Sequence, residues 1–256
     1  MKKRIFQFVL VFNLSILFST QAFSAMWDTV KVSCPICEQS NEFMKVSSYG
    51  NYVYSMPSRF QYIFWPATDD YSVYCCKKCH YAAFMWDFDS LAIKKNKIDT
   101  IRAMLKTIKY PDENIDYSSV TPVKLDIAEK VYSLLDMDDY SWCFFYRVKG
   151  YFYGESNQFI EADIARRLAH NLAVKMFNDD KTPGSHKEYM LIAGAMKYFL
   201  LDNKGALSDL QLALGLKYSS NPPDEKKDKD YDDYLTALLN EYITLIKSPP
   251  PQEEKK

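Results

Sequence analysis

The sequence predicts an α+β fold, mainly α: a small β zinc-ribbon-like module followed by stacked antiparallel helix pairs of tetratricopeptide-like kind. Three observations predict it. Two Cys-x-x-Cys pairs, Cys34/Cys37 and Cys76/Cys79, lie in a stretch from residue 26 to 84 rich in Tyr, Phe, Val and Trp and broken by Ser, Pro, Gly and Asn, which is strand-and-turn composition. From Asp89 onward apolar residues recur at helical periods separated by short loops. In that half Gly194, Ala206 and Ala213 sit 12 and 7 residues apart, and Gly150, Ala162 and Ala169 repeat both offsets 44 residues earlier. Small residues so placed mark the crossing of two helices in a tetratricopeptide unit; plain antiparallel hairpins with small residues at their crossings read the same way.

The chain opens with Met1-Lys2-Lys3-Arg4, a mainly apolar run from Ile5 to Phe18, and small residues ending in Ala22-Phe23-Ser24-Ala25. Charged, apolar and small-residue regions in that order read as a signal peptide over residues 1–24, cleaved after Ser24 or Ala25. The apolar run is short of the ~20 residues a spanning helix needs, and no later segment is long and apolar enough. The expectation is a periplasmic or secreted chain without a membrane span after cleavage. Lys+Arg number 32 against 33 Asp+Glu, so losing Lys2, Lys3 and Arg4 leaves an acidic protein with no electrostatic footprint for nucleic acid. An apolar content of 48% is ample for a packed core.

The β module is expected over 25–88. Its 38 residues between Cys37 and Cys76 must supply the intervening strands, with Val53-Tyr54, Phe60 to Trp65 and Tyr71 to Tyr74 as candidates. Helices are expected over 89–108, 122–136, 139–154, 157–178, 184–201, 205–217 and 225–247, making a helical domain over 89–247. Thr121-Pro122 and Thr182-Pro183 place a capping hydroxyl before a proline at the first helical position, and Ser156 is a candidate cap for the segment running to Phe177. The last helix carries Tyr231, Tyr234, Leu235, Leu238, Leu239, Tyr242, Leu245 and Ile246 on one stripe and needs a surface to pack on. Residues 248–256, with three consecutive prolines and a charged end, read as a solvated tail.

Paired thiols at this spacing make a tetrahedral four-sulfur zinc site the leading reading. Four thiolates leave no open position for water, so such a metal is structural, and it can supply on the order of 10 kcal/mol to a module with too little apolar interior to fold alone. Export favours disulfides, which keeps a disulfide framework or a redox-active thiol pair at Cys76/Cys79 open. Cys76-Lys77-Lys78-Cys79-His80 also satisfies the c-type haem attachment pattern, with His80 as axial ligand.

These residues resemble a bacterial family of domains of unknown function, the one numbered 2225, in which a four-cysteine zinc-ribbon-like module precedes tetratricopeptide-like helices. The resemblance rests on Cys34-Pro35-Ile36-Cys37 with Phe43 following, Tyr71-Ser72-Val73-Tyr74 before the second pair, then Tyr81-Ala82-Ala83-Phe84 and Phe88, and runs from about residue 30 to 220. It implies Cys34, Cys37, Cys76 and Cys79 as metal ligands. The chain departs from the family at His80, where glycine is usual, at Lys77 in place of proline, and at Cys75 in place of an apolar strand residue. Histidine adopts the positive φ common in such knuckles less readily than glycine.

Cys75 reads as a buried strand residue, a spare ligand or half of a disulfide, and Cys143 as a small apolar side chain in a helix. His170 and His186 lack partners at metal spacing. Asp228, Asp230 and Asp232 alternate like the start of a calcium loop but lack its glycine and closing glutamate, and read as a solvated charge run. The aromatics Tyr49, Tyr52, Tyr54, Tyr62, Trp65 and Trp86 read as the module's core and its contact with the first helix. No His-Glu-x-x-His, Gly-x-Ser-x-Gly or phosphate-cradling loop occurs. The expected role is a non-enzymatic interaction scaffold holding a protein or peptide partner in the concave groove of stacked helix pairs. Tyr146, Tyr153 and Tyr198 are candidates for that surface, burial between helices being their alternative.

Overall fold

The computed structural model describes residues 26–48, 61–63, 65–90, 93–108, 121–179, 186–220 and 222–248. Strands β1 (Met26–Ser33) and β2 (Ser40–Ser48) pair antiparallel with Val30 opposite Phe43 and Ser33 opposite Ser40; β3 (Val73–Cys75) and β4 (Ala82–Phe84) form a second antiparallel pair with Tyr74 opposite Ala83. Each hairpin turns through one Cys-x-x-Cys segment. The fold is α+β and mainly α, as the composition predicts.

The composition of Phe60 to Trp65 predicts a strand, and the structure corrects this: residues 61 and 62 lie in a turn and Trp65–Thr68 is a 3-10 turn. Pro66 has no N–H to give a ladder, and the apolar content here serves burial, with Ile63 and Ala67 in the core. A second 3-10 turn, Asp70–Ser72, is capped by the Asp69 carboxylate, which accepts from the Tyr71 N–H at 3.0 Å, so β3 starts only at Val73. Val53-Tyr54 lies outside the described residues.

Seven α-helices follow among the described residues: α1 (Lys95–Leu105), α2 (Thr121–Tyr132), α3 (Asp139–Glu155), α4 (Phe159–Asn178), α5 (His186–Phe199), α6 (Asn203–Leu214) and α7 (Glu225–Lys247). The first begins six residues later than expected. Residues 85–90 are held in turns because the buried Tyr132 hydroxyl accepts from the Phe84 N–H at 2.9 Å and donates to Asp87 Oδ2 at 2.7 Å. Two expected caps are also corrected. The Thr121 hydroxyl donates to Asp70 Oδ1 at 2.9 Å and ties α2 to the ribbon. Ser156 ends α3, and α4 begins after Gln158 without a side-chain cap. The Thr182-Pro183 pair lies outside the described residues.

The helix pairs α3/α4 and α5/α6 share one joint. After α3, Asn157 takes φ 59°, its N–H reaches Gly154 O at 3.1 Å and the Gln158 N–H reaches Tyr153 O at 2.9 Å; after α5, Leu201 takes φ 63° and the Leu201 and Asp202 N–H groups reach Tyr198 O and Lys197 O at 3.0 Å each. Both are Schellman closures. The glycines repeat too. A Cβ on Gly150 would stand 3.4 Å from Ala162 O, and one on Gly194 would stand 3.3 Å from Ala206 O. The offsets of small residues seen in the sequence are therefore the same close helix crossing made twice.

The described residues form two hydrophobic clusters. One joins both hairpins to α1, α2 and the inner face of α3, through Ile36, Tyr81, Phe88, Ile101, Leu125 and Phe145. The other joins α4, α5, α6 and α7 around Tyr189, Leu191, Leu210, Leu235 and Leu239, with Cys143 of α3 at its edge. Of the expected stripe of α7, Leu235, Leu238, Leu239 and Tyr242 are fully enclosed, while Tyr231, Tyr234, Leu245 and Ile246 are half-buried along its edges.

Candidate metal centre

The two knuckles are built alike. In the first, the Glu38 N–H reaches Cys34 O at 2.9 Å and the Cys34 N–H reaches Gln39 O at 2.9 Å; in the second, the His80 N–H reaches Cys76 O at 2.9 Å and the Cys76 N–H reaches Tyr81 O at 2.8 Å. This closure demands a left-handed residue after each second cysteine. Glu38 supplies it at φ 61° and His80 at φ 59°. The strain expected at His80 from its replacement of glycine is present, and the surrounding turn sustains it.

The hairpin tips meet so that sulfurs pair across knuckles: Cys34 Sγ lies 3.6 Å from Cys79 Sγ, and Cys37 Sγ lies 3.6 Å from Cys76 Sγ. All four sulfurs lie within 4.8 Å of one another. A tetrahedral zinc with Zn–S near 2.3 Å requires sulfur separations of about 3.8 Å, so the quartet fits a divalent metal such as zinc. A disulfide bond is about 2.05 Å long, and all six cysteines are free thiols. The cluster of ligating atoms consists of the four cysteines; the His80 ring is not among them.

Electrostatics explain why such a quartet calls for a cation. Four thiolates at this spacing repel, and the thiols share protons instead: Cys76 is pushed well down by hydrogen bonding with Cys34 and Cys79, while Cys34 is pushed up to about 12 by its bond with Cys76, with burial adding to the effect. Cys79 is also pushed far up, first by Cys34 and Cys76 and then by burial. Cys34 and Cys76 are buried, whereas Cys37 and Cys79 are partly exposed. A metal would therefore sit at the edge of the first core.

Sequence reasoning missed the residues that hold the knuckles. Asn41, 2% exposed on β2, donates from Nδ2 to Cys76 Sγ at 3.7 Å and to Gln39 O at 2.8 Å, and its Oδ1 accepts from the Lys77 N–H at 3.0 Å. Arg102 of α1 donates to Ile36 O at 2.8 Å, fastening the tip of the first knuckle. Neither carries a local sequence signal, because both act across the fold.

Of the other residues singled out, Cys75 is a buried strand residue whose thiol points to His80 O at 3.7 Å, and Cys143 of α3 packs against α4 with its thiol 3.4 Å from Ala169 O. The acidic run is only partly a solvated face. Asp228 accepts from the Ser220 and Asp224 N–H groups, and Asp232 accepts from the Tyr218 N–H at 2.7 Å and pairs at 2.7 Å with Lys187, which is 1% exposed. Trp86 stacks on Phe84 at 4.9 Å and meets the Phe144 ring of α3. Tyr49, Tyr52 and Tyr54 lie outside the described residues. Tyr153 is buried with its hydroxyl on Asp126 at 2.6 Å, which removes it from the candidate groove surface. Tyr146 and Tyr198 are half-buried, the first bonded to Glu129 and the second edge-on to Tyr242.

Residues 29–140 match the model of a family described as an uncharacterized protein conserved in bacteria, DUF2225. The stretch that carries both knuckles is similar to this family. The resemblance read from the cysteine and Tyr-Ala-Ala elements is thereby borne out over β1 to the start of α3, and α4 to α7 lie beyond the match. No curated protein and no solved structure matches the chain.

Proposed function

We propose that the chain is an exported, non-enzymatic interaction scaffold whose hairpin tips are clamped by a structural zinc on Cys34, Cys37, Cys76 and Cys79. The observation that carries the reading is the crossed pairing of sulfurs at 3.6 Å. It fills all four tetrahedral corners with thiolate and leaves none for a reacting water. When bound, the metal supplies cross-linking between two hairpins that are each too small to fold alone. The partner is a protein or peptide received on the groove of the stacked pairs α3/α4 and α5/α6, read as two degenerate tetratricopeptide-like units. The repeated joint at Asn157 and Leu201 supports that reading, and the charged, apolar and small-residue order of residues 1–25 supports export to the periplasm or beyond.

The test is intact mass under native and denaturing conditions on protein exported by a host with haem-attachment machinery. One zinc per chain, lost on denaturation to leave free thiols, is expected. A covalent haem increment, or two hydrogens missing per cysteine pair, would overturn it in favour of a redox protein. Cys79→Ser separates the roles further: here it unfolds the amino-terminal module, whereas a redox site loses activity with its fold retained.

A further inference from the structure

Over its first three turns helix α4 buries small residues and exposes large apolar ones. Its buried face is lined with the small residues Ala162, Ala165, Ala169 and Ala173, while Ile160, Ile164 and Leu168 are 74%, 56% and 38% exposed. Residues at i, i+4 and i+8 form one stripe along a helix. A surface helix ordinarily buries its large apolar residues, and a contiguous exposed row of them marks a contact surface.

The internal repeat supplies a control. At the same places in the second pair, 44 residues on, stand Lys204, Ser208 and Leu212. The hairpin thus folds with lysine and serine at the first two positions, and Ile160 and Ile164 are not demanded by the joint, the crossing or the core.

We infer that this stripe is the contact of α4 with α4 of a second copy, in antiparallel register about Ile164. Two observations select a copy and that direction. The stripe is symmetric about Ile164, so a twofold axis there lays Ile160 of each chain over Leu168 of the other and Ile164 over itself, the self-complementarity an isologous interface requires. Charge flanks the stripe as well: Glu161 precedes Ile164 by three residues and Arg167 follows it by three. An antiparallel copy sets Glu161 of each chain over Arg167 of the other and opposes the helix dipoles, whereas a parallel copy sets like over like. The stripe shares no residue with the four-cysteine centre or with Tyr146 and Tyr198, and the inference does not rest on the groove reading.

Sedimentation equilibrium on the purified chain tests it. The wild type is expected at twice the chain mass, and Ile164→Glu, which places a carboxylate opposite its own copy, at one chain mass with helical circular dichroism and zinc content unchanged. Ser208→Glu, the matching change in the second pair, leaves the dimer. Arg167→Glu weakens the dimer severalfold, and adding Glu161→Lys restores it. A wild type that stays monomeric at tens of micromolar, a dimer that survives Ile164→Glu, or a stripe that binds phospholipid vesicles instead of a copy overturns the inference.

Discussion

Asn41 and Cys76 come from different hairpins, and the Asn41 carboxamide donates to the Cys76 sulfur at 3.7 Å while accepting from the next N–H, that of Lys77, at 3.0 Å. One buried side chain on β2 thus sets the orientation of the second knuckle. Groups that hydrogen-bond a metal ligand orient it, and their loss typically costs about 10–100-fold in metal affinity. Asn41→Leu keeps the volume and removes every bond. Zinc affinity, measured by competition with a chromogenic chelator, is expected to fall by about that factor; an unchanged affinity would show that the knuckle is oriented by its backbone alone.

His80 carries backbone strain, and its ring is not among the four clustered ligand groups. A left-handed backbone costs a non-glycine residue roughly 1–2 kcal/mol, and glycine takes it at no steric cost. His80→Gly is therefore expected to raise stability in chemical denaturation by about 1 kcal/mol with zinc stoichiometry unchanged. Loss of a bound group on this substitution would point to histidine ligation and to the haem alternative. Leu201, 87% exposed at φ 63°, gives an independent comparison. Leu201→Gly should gain by the same mechanism, far from any metal.

Burial sets the pH response of Glu188 on α5. Its carboxyl is pushed up by desolvation, against the lowering influence of Arg147 and of a hydrogen bond with Tyr62. With a folded value above the unfolded one, the native state holds the proton longer, so this group's contribution falls as pH rises from the ordinary glutamate range through the folded value. The wild type should lose stability relative to Glu188→Gln across that window, read as the difference between their urea unfolding free energies at successive pH values. Parallel curves would mean that Glu188 is as solvated folded as unfolded.

The features legible in the sequence were those written locally. Cysteine spacing placed both knuckles, 3.6-residue periodicity placed seven helices, and the 12 and 7 offsets placed the crossing twice. What escaped is tertiary. Asn41, Arg102 and Tyr132 hold backbone groups far away in the chain. Leu201 enters the left-handed region without the glycine or asparagine that announces it, although Asn157, its counterpart, does carry that signal. Lys187 and Arg147, residues of surface type, are buried because Asp232 and Thr236 receive the ammonium and because the guanidinium lies against the Tyr62 and Phe144 rings and donates to Tyr62 O. Phe60 to Trp65 misled because aromatic richness signals burial as well as strand.

The two crossing glycines are equivalent by repeat but not by neighbour. A Cβ at Gly194 would lie 2.6 Å from Leu210 Cγ, a branched atom inside the second core, whereas a Cβ at Gly150 would lie 3.0 Å from Arg166 Cγ, part of a long side chain that can shift. Replacing a mid-helix glycine by alanine gains up to ~1 kcal/mol of helix propensity, and overpacking a core costs typically about 1–3 kcal/mol. Gly194→Ala is therefore expected to destabilise by about 1 kcal/mol or more, with Gly150→Ala near neutral or mildly stabilising. Thermal and urea unfolding of the two variants side by side checks the order. The reverse order would mean that α6 yields around Leu210 while Arg166, stacked at 5.3 Å on the Phe199 ring of α5, does not. The first helix pair would then be the more rigid of the two.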